Sequence, residues 1–266
     1  MKILFLCNKD LASNFALNQL LPEISANHDV YLWLSGKVGN NSALPKQLET
    51  LKFFEQDLFN HLLAPLMLST KGNIAFKGFD GLNCFLCDEL KEVNRINSPE
   101  SVATLNALSP DLIISIRFGG ILKEDVINIP THGVINLHSG ILPQYKGVMA
   151  TFWALKNNEP MIGTTLHAIE DGTIDTGKVI IISTMSVERD KSYLWHVLAL
   201  YKQGTKDILD AINILNEGKK LGFTPQAQSD SYFTFPSAIE CKDFEDKGWQ
   251  FVNEQGYLKF MQAHYL

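Results

Sequence analysis

Ile3-Leu4-Phe5-Leu6-Cys7 opens the chain as a short, unbroken apolar run, the pattern of a parallel strand covered on both faces. Leu17, Leu20, Leu21 and Ile24 follow at i, i+3, i+4 and i+7, which is one face of a helix. Val30, Leu32 and Leu34 then alternate with other residues, as a strand does. A strand, a helix and a second strand in this order predict an α/β fold.

The same grammar returns downstream. Ser98-Pro99-Glu100 reads as an N-cap, a proline in the first helical position and an early acid, with Val102, Leu105 and Leu108 as the apolar face. Leu112–Ile116 and Val134–Leu137 read as buried strands, 161–169 and 178–183 as two more, and 192–216 as a long helix. Together they predict a mostly parallel central sheet. Residues 39–92 resist this reading: an amphipathic helix fits around 46–64, a Gly-rich stretch covers 71–81, and the whole reads as an insertion of unassigned role. From Leu221 onward the text is irregular and aromatic (Tyr232, Phe233, Phe235, Phe244, Trp249, Phe251). The expected division is a main domain over 1–216, carrying the insertion, and a small C-terminal appendage over 217–266.

Composition narrows the partners. Of 266 residues, 45% are hydrophobic and 20% charged, the balance of a globular protein with a substantial core. The net charge is −6 with no strong cluster of Lys and Arg, so nucleic acid is disfavoured as the main partner. The apolar run at the N-terminus is too short for a signal-peptide core, and no segment approaches the roughly 18 apolar residues of a membrane span. The expectation is a cytoplasmic protein away from membranes. Cysteines stand at 7, 84, 87 and 241. Cys84 and Cys87 form one CxxC with no second ligand pair, so no metal site is expected and all four read as reduced, packed thiols.

Open α/β sheets bind ligands at the carboxyl ends of their strands, and three segments there carry polar residues. The first is Gly133-Val-Ile-Asn136-Leu-His138-Ser-Gly140-Ile-Leu-Pro143-Gln-Tyr-Lys-Gly147. Asn136 and His138, two apart on a strand, share one side; an amide donor beside an imidazole suits the polarisation of a carbonyl. An Asn holding a turn and a His satisfied by backbone would look the same. The second is Glu170-Asp171-Gly172-Thr-Ile-Asp175-Thr-Gly177, a solvated turn or a set of carboxylates that orient a His or accept a proton through water. The third is Arg117-Phe118-Gly119-Gly120-Ile121-Leu122, where paired glycines admit a ligand close to the backbone. No GxGxxG follows the first strand, and neither a Walker A sequence nor a GxSxG elbow is present. His167 and His196 read as core or edge histidines.

Asn136-x-His138, then Ile-Leu-Pro143-x-Tyr-Lys-Gly147, and later Asp175-x-Gly177, resemble the 10-formyltetrahydrofolate-dependent formyltransferase family. The resemblance is strong over about 111–183 and looser elsewhere. It implies a Rossmann-like formyltransferase fold, with 1–216 as the catalytic domain, 10-formyltetrahydrofolate as formyl donor, and Asn136, His138 and Asp175 as the catalytic residues. Asn136 and His138 would donate to the oxyanion, with Asp175 orienting His138. By the same resemblance Phe118, Gly119, Gly120, Ile121, Leu122, Glu170, Asp171 and Gly172 contact the pterin end of the folate. Many members carry Ser where this chain has Gly140. Among acceptors, the segment after the long helix is short and the net charge negative, unlike methionyl-tRNA formyltransferases, and the first strand is followed by Cys7-Asn-Lys-Asp-Leu, not the Gly-rich loop of glycinamide ribonucleotide formyltransferases. The chain is most similar to nucleotide-sugar amine N-formyltransferases, whose aromatic tail can help form a homodimer. A siderophore or other small-metabolite amine, a folate hydrolase, and a non-catalytic folate-binding module are the alternatives.

Overall fold

A computed structural model describes residues 1–36, 44–69 and 76–266. Among them the sheet has seven strands: β1 (Lys2–Asn8), β2 (Asp29–Ser35), β3 (Lys91–Glu92), β4 (Leu112–Ile116), β5 (Val134–His138), β6 (Met161–Ile169) and β7 (Val179–Ser186). Their spatial order is β3-β2-β1-β4-β5-β6-β7. Pairing is parallel from β3 to β5, then antiparallel for β5–β6 and β6–β7. The expected mostly parallel α/β sheet is what forms.

Side-chain alternation builds a core on each face. Ile3, Phe5 and Cys7 enter the larger core while Leu4 and Leu6 enter the smaller; Ile114 and Ile113 divide the same way. Each fully buried Leu or Phe contributes roughly 1.5–3 kcal/mol. The helices are α1 (Leu11–Ile24), α2 (Lys46–Lys52), α3 (Ala64–Ser69), α4 (Pro99–Leu108), α5 (Glu124–Ile127), α6 (Ala150–Lys156), α7 (Tyr193–Asn216), α8 (Ala238–Asp246) and α9 (Glu254–His264). Ser98 caps α4 as its sequence predicts, accepting from Ser101 N–H, and Ser192 caps α7, accepting from Trp195 N–H. On α7, a Cβ at Gly204 would lie 2.9 Å from Leu137 Cδ2. The missing side chain lets this helix lie close over β5, the strand that carries Asn136 and His138.

Three regions differ in detail from the sequence pattern. The helix expected around 46–64 forms, but between α2 and α3 it widens into a π-helical segment, Phe53–Leu63, whose end is marked by Ala64 N–H bonding Phe59 O. Leu48, Leu51 and Phe59 anchor this region in the larger core; residues 39–43 and 70–75 of the expected insertion lie outside the described ones. The C-terminal segment packs into the larger core. Phe244, Trp249, Phe251, Tyr257 and Tyr265 are buried with it, and Tyr265 O–H donates to Asn14 Oδ1 at 2.7 Å. Aromatic burial in short helices leaves little periodicity, so the sequence pattern hid it. Finally, Cys7 and Cys241 are buried thiols, but Cys84 and Cys87 are exposed. Their apolar neighbours Phe85 and Leu86 are only half-buried and pack against the core edge instead.

Candidate active site

Asn136 and His138 stand at the end of β5, two residues apart and on one side of the sheet. Antiparallel register sets His167 opposite Asn136 and Thr165 opposite His138. Thr165 Oγ1 donates to Gly140 O at 2.7 Å and accepts from Leu142 N–H at 3.1 Å, which pins the loop leaving β5. That loop turns back so that Tyr145 O accepts from His138 Nε2 at 2.7 Å. Gly140 is required for the turn. A Cβ there would sit 2.5 Å from Ala150 Cβ and 2.7 Å from His138 Nε2, so the Ser of many formyltransferases would not fit this loop as it stands.

The third member comes from the loop between β6 and β7. Asp175 has φ +55, a left-handed conformation uncommon outside Gly. Gly147 N–H donates to Asp175 Oδ2 at 2.8 Å. The same oxygen lies 3.4 Å from His138 Nδ1, and Oδ1 lies 3.4 Å from His167 Nε2. Burial opposes the charge on Asp175, but His138, His167 and the Gly147 N–H outweigh it and pull the carboxyl down to about 2. This is an ionised carboxylate held between two imidazoles, suited to orienting a ring rather than to accepting a proton itself.

The structure therefore brings Asn136, His138 and Asp175 together and adds His167, which its sequence setting presents as an ordinary core histidine. His167 Nε2 is 3.1 Å from Asn136 Nδ2, and its Nδ1 is 2.9 Å from Ala168 O. A polar residue on the same face of the neighbouring strand was the available signal, and it needed the β5–β6 register to be read. Both nitrogens of His138 have protein partners, so its expected direct donation to an oxyanion requires the Tyr145 carbonyl to give way. His196 is structural as expected: Nδ1 bonds Ser192 O and Nε2 accepts from Glu188 N–H.

The C-terminal segment braces these loops. Gln226 Nε2 donates to Asp175 O at 3.0 Å and to Gly177 O at 2.6 Å. Phe233 bridges Gly147 through Val148 N–H to Phe233 O and Phe233 N–H to Lys146 O. Gly147 has φ +98, and a Cβ there would lie 2.1 Å from Phe233 O, so only glycine fits between them.

The two expected folate loops lie side by side: a Cβ on Gly172 would be 3.6 Å from Leu122 O. Gly119 N–H donates to Ser35 Oγ at 2.9 Å, and Asn97 Nδ2 to Ile121 O at 2.8 Å. Gly120 leaves Phe118 room, since a Cβ would meet that ring at 3.0 Å. Ile121 is exposed, whereas Leu122 is buried in the smaller core and offers a ligand only its backbone. Glu170 bonds Lys178, which holds its carboxyl below the usual range, and Asp171 bonds Thr173. What these loops present is thus the Phe118–Ile121 segment and the backbone at Gly172.

A second buried cluster lies at the same edge of the sheet. Arg117, the residue after β4, donates from Nε to Asp10 Oδ2 at 2.8 Å and from Nη2 to Glu55 Oε1 at 3.1 Å. Asp10 also caps α1 by accepting from Ser13 N–H at 2.8 Å, and accepts from Asn8 Nδ2 at 2.7 Å. Among the described residues no group of three His, Cys, Asp or Glu side chains is arranged to hold a metal, and no helix is long and apolar enough to cross a membrane.

The family model described as formyl transferase matches residues 74–197, a span of just under half of the chain. Asn136, His138, His167 and Asp175 all fall inside it. A methionyl-tRNA formyltransferase from Synechococcus is 30% identical over 152 residues, covering 57% of this chain and 46% of that protein. The chain thus spans about half the length of the curated relatives it matches. Among solved structures, an N-formyltransferase from Helicobacter canadensis, described in complex with folinic acid and dTDP-3-aminofucose, superposes with TM-score 0.57 at 18% identity, covering 88% of this chain and 70% of that one. A 4-N formyltransferase from Francisella tularensis gives TM-score 0.57 at 16% identity, covering 91% and 86%. At these identities the superpositions show a shared Rossmann-like formyltransferase fold.

Proposed function

We propose that this protein transfers a formyl group from 10-formyltetrahydrofolate to an amine, with Asn136, His138 and Asp175 at the reacting centre. One observation carries the reading: the three residues converge around an ionised, buried carboxylate at a strand end, within a stretch that matches the formyl transferase family. The donor supplies the formyl carbon, and the side-by-side Phe118–Leu122 and Glu170–Gly172 loops are the surface that would hold its ring system. A neutral amine forms the new C–N bond and the folate N10–carbon bond breaks, the amine proton leaving with the folate nitrogen. Negative charge builds on the carbonyl oxygen meanwhile. Asn136 retains an N–H to donate to it, the kind of preorganised contact that carries much of such catalysis. His138 faces two acceptors, Tyr145 O at 2.7 Å and Asp175 Oδ2 at 3.4 Å, which hold its ring beside that oxygen.

For the acceptor, the reading is the amino group of a nucleotide-linked sugar. The negative net charge and the description of the Helicobacter canadensis relative support it. Methionyl-tRNA is the second reading, favoured by the identity to that enzyme's curated relatives. Within this reading 1–216 carries the chemistry and 217–266 braces it, and the exposed Phe223, Tyr232 and Phe235 offer an apolar surface for a homodimer. The test is tetrahydrofolate release from 10-formyltetrahydrofolate, followed by absorbance, over nucleotide-linked amino sugars, hydroxyornithine, glycinamide ribonucleotide and methionyl-tRNA. Turnover with an amino sugar, lowered about a hundredfold or more in Asn136→Ala, is the expected result. Turnover with methionyl-tRNA alone moves the acceptor to the second reading. Formate release without any amine, or no turnover at all, overturns the proposal.

A further inference from the structure

We infer that His167 is a positioning residue of this site, whose ring sets which end of the Asn136 amide faces the reacting carbonyl. The inference rests on the formyl-transfer reading above. Asn136 and His167 are directly opposite on β5 and β6, where cross-strand side chains meet. His167 Nδ1 lies 2.9 Å from Ala168 O. A carbonyl oxygen can only accept, so Nδ1 carries a proton, and in the neutral ring Nε2 then turns its lone pair outward. Asn136 Nδ2 sits 3.1 Å from that lone pair. If the amide were turned end for end, its oxygen would face the lone pair, acceptor against acceptor. The ring therefore fixes Nδ2 toward itself, and the second N–H of Nδ2 is left to reach the carbonyl oxygen.

Asp175 makes this choice consequential. Its Oδ1 is 3.4 Å from His167 Nε2, beyond the usual range of a good N–H···O bond, so Asn136 is the partner of Nε2 in this arrangement. A proton on Nε2 would reverse the pairing. The ring would donate to Asp175, and the amide would have to rotate to present its oxygen. Asn136 would then lose the donor geometry assigned to it. His167 is 1% exposed, so it acts through its buried neighbours, Asn136 first.

Two substitutions separate this role from mere filling of the core. In His167→Gln, the side-chain oxygen can take the place of Nε2 and still accept from Asn136; His167→Leu fills space without an acceptor. With 10-formyltetrahydrofolate and a nucleotide-linked amino sugar that the wild type turns over, kcat in His167→Leu should fall about a hundredfold at unchanged KM, while His167→Gln stays within about tenfold of wild type. A long-range proton–nitrogen correlation spectrum of histidine-labelled protein, free of substrate, should show His167 as the Nδ1–H tautomer. It should also show that nitrogen pattern disturbed in Asn136→Leu. Full rate in His167→Leu, equal damage in the Gln and Leu variants, or an Nε2–H tautomer each overturns the inference. If His167→Leu does not fold, the Gln variant and the tautomer decide. Full rate in His167→Leu beside a crippled Asn136→Ala sinks this inference alone. A silent Asn136→Ala sinks the mechanism on which it rests.

Discussion

Two buried clusters of charge lie at the carboxyl edge of one sheet, a strand apart, and they treat their carboxylates in opposite ways. Asp175 accepts from Gly147 N–H at 2.8 Å and lies 3.4 Å from His138 Nδ1 at one oxygen and 3.4 Å from His167 Nε2 at the other. Its carboxyl is pulled down to about 2. Among the described residues the one ion pair of Glu55 is to Arg117 Nη2, and that guanidinium is shared with Asp10. Burial and the Asp10 charge push the Glu55 carboxyl up to about 7, against the pull of Arg117. Burial is common to both, so burial does not decide the charge state. The supply of donors decides it. The first cluster keeps a charge to hold ionisable rings, as chemistry at a carbonyl needs. The second ties α1, the π-helical segment and the end of β4 together, with one carboxylate more than its cation can neutralise.

The sharpest way to break the contrast is Asp175→Asn, which keeps shape and removes charge. If the carboxylate organises the imidazoles for reaction, kcat falls by about a thousandfold or more, as when a triad acid becomes an amide. Stability changes far less. Lowering the carboxyl from 3.8 to about 2 is worth roughly 2 kcal/mol. This stabilisation is in place above the unfolded-state value near 3.8 and is lost as pH falls toward 2, so an acid-unfolding titration of wild type and variant reads it directly. A variant that is acid-labile but fully active would make Asp175 structural and erase the difference between the clusters.

Arg117→Met tests the other side. It strands Asp10 and Glu55 in a buried setting without their cation, which costs about 3–5 kcal/mol. Urea unfolding at pH 8 should show the loss, and substrate turnover per folded molecule should change little. A rate loss without a stability loss would place Arg117 in the reacting machinery instead.

How far each cluster is legible in the sequence follows from contact range. β1, α4 and α7 announce themselves because apolar spacing and caps such as Ser98-Pro99 are local. Asn136 and His138 are readable because two residues on a strand share a side. His167 sits in an apolar alternation that looks like core, and only its register opposite Asn136 gives it away. The second cluster is less legible still: Arg117 meets partners 107 and 62 residues away, and Glu55 lies in a segment whose pattern suggests only an amphipathic helix. Gln226 and Phe233 brace the site from a stretch with no periodicity at all. Local physics writes the scaffold into the sequence, while long-range pairing writes the site.

Glu55→Gln is the smallest and most direct test of the shortage of donors. A carboxyl raised from 4.5 to about 7 on folding binds its proton more tightly in the folded chain than in the unfolded one. Below about 4.5 both states hold the proton and the group is neutral to stability. As pH rises from there to about 7, the unfolded chain ionises first, so the folded state is progressively penalised; above 7 the penalty levels off at about 3 kcal/mol. Glutamine has no proton to lose and can still accept from Arg117. Urea midpoints should therefore match for wild type and variant near pH 4.5 and diverge toward pH 8, with the glutamine protein the more stable. If Glu55→Gln is instead destabilised at pH 8, Glu55 is an ionised and well-paired carboxylate like Asp175, and the two clusters obey one rule.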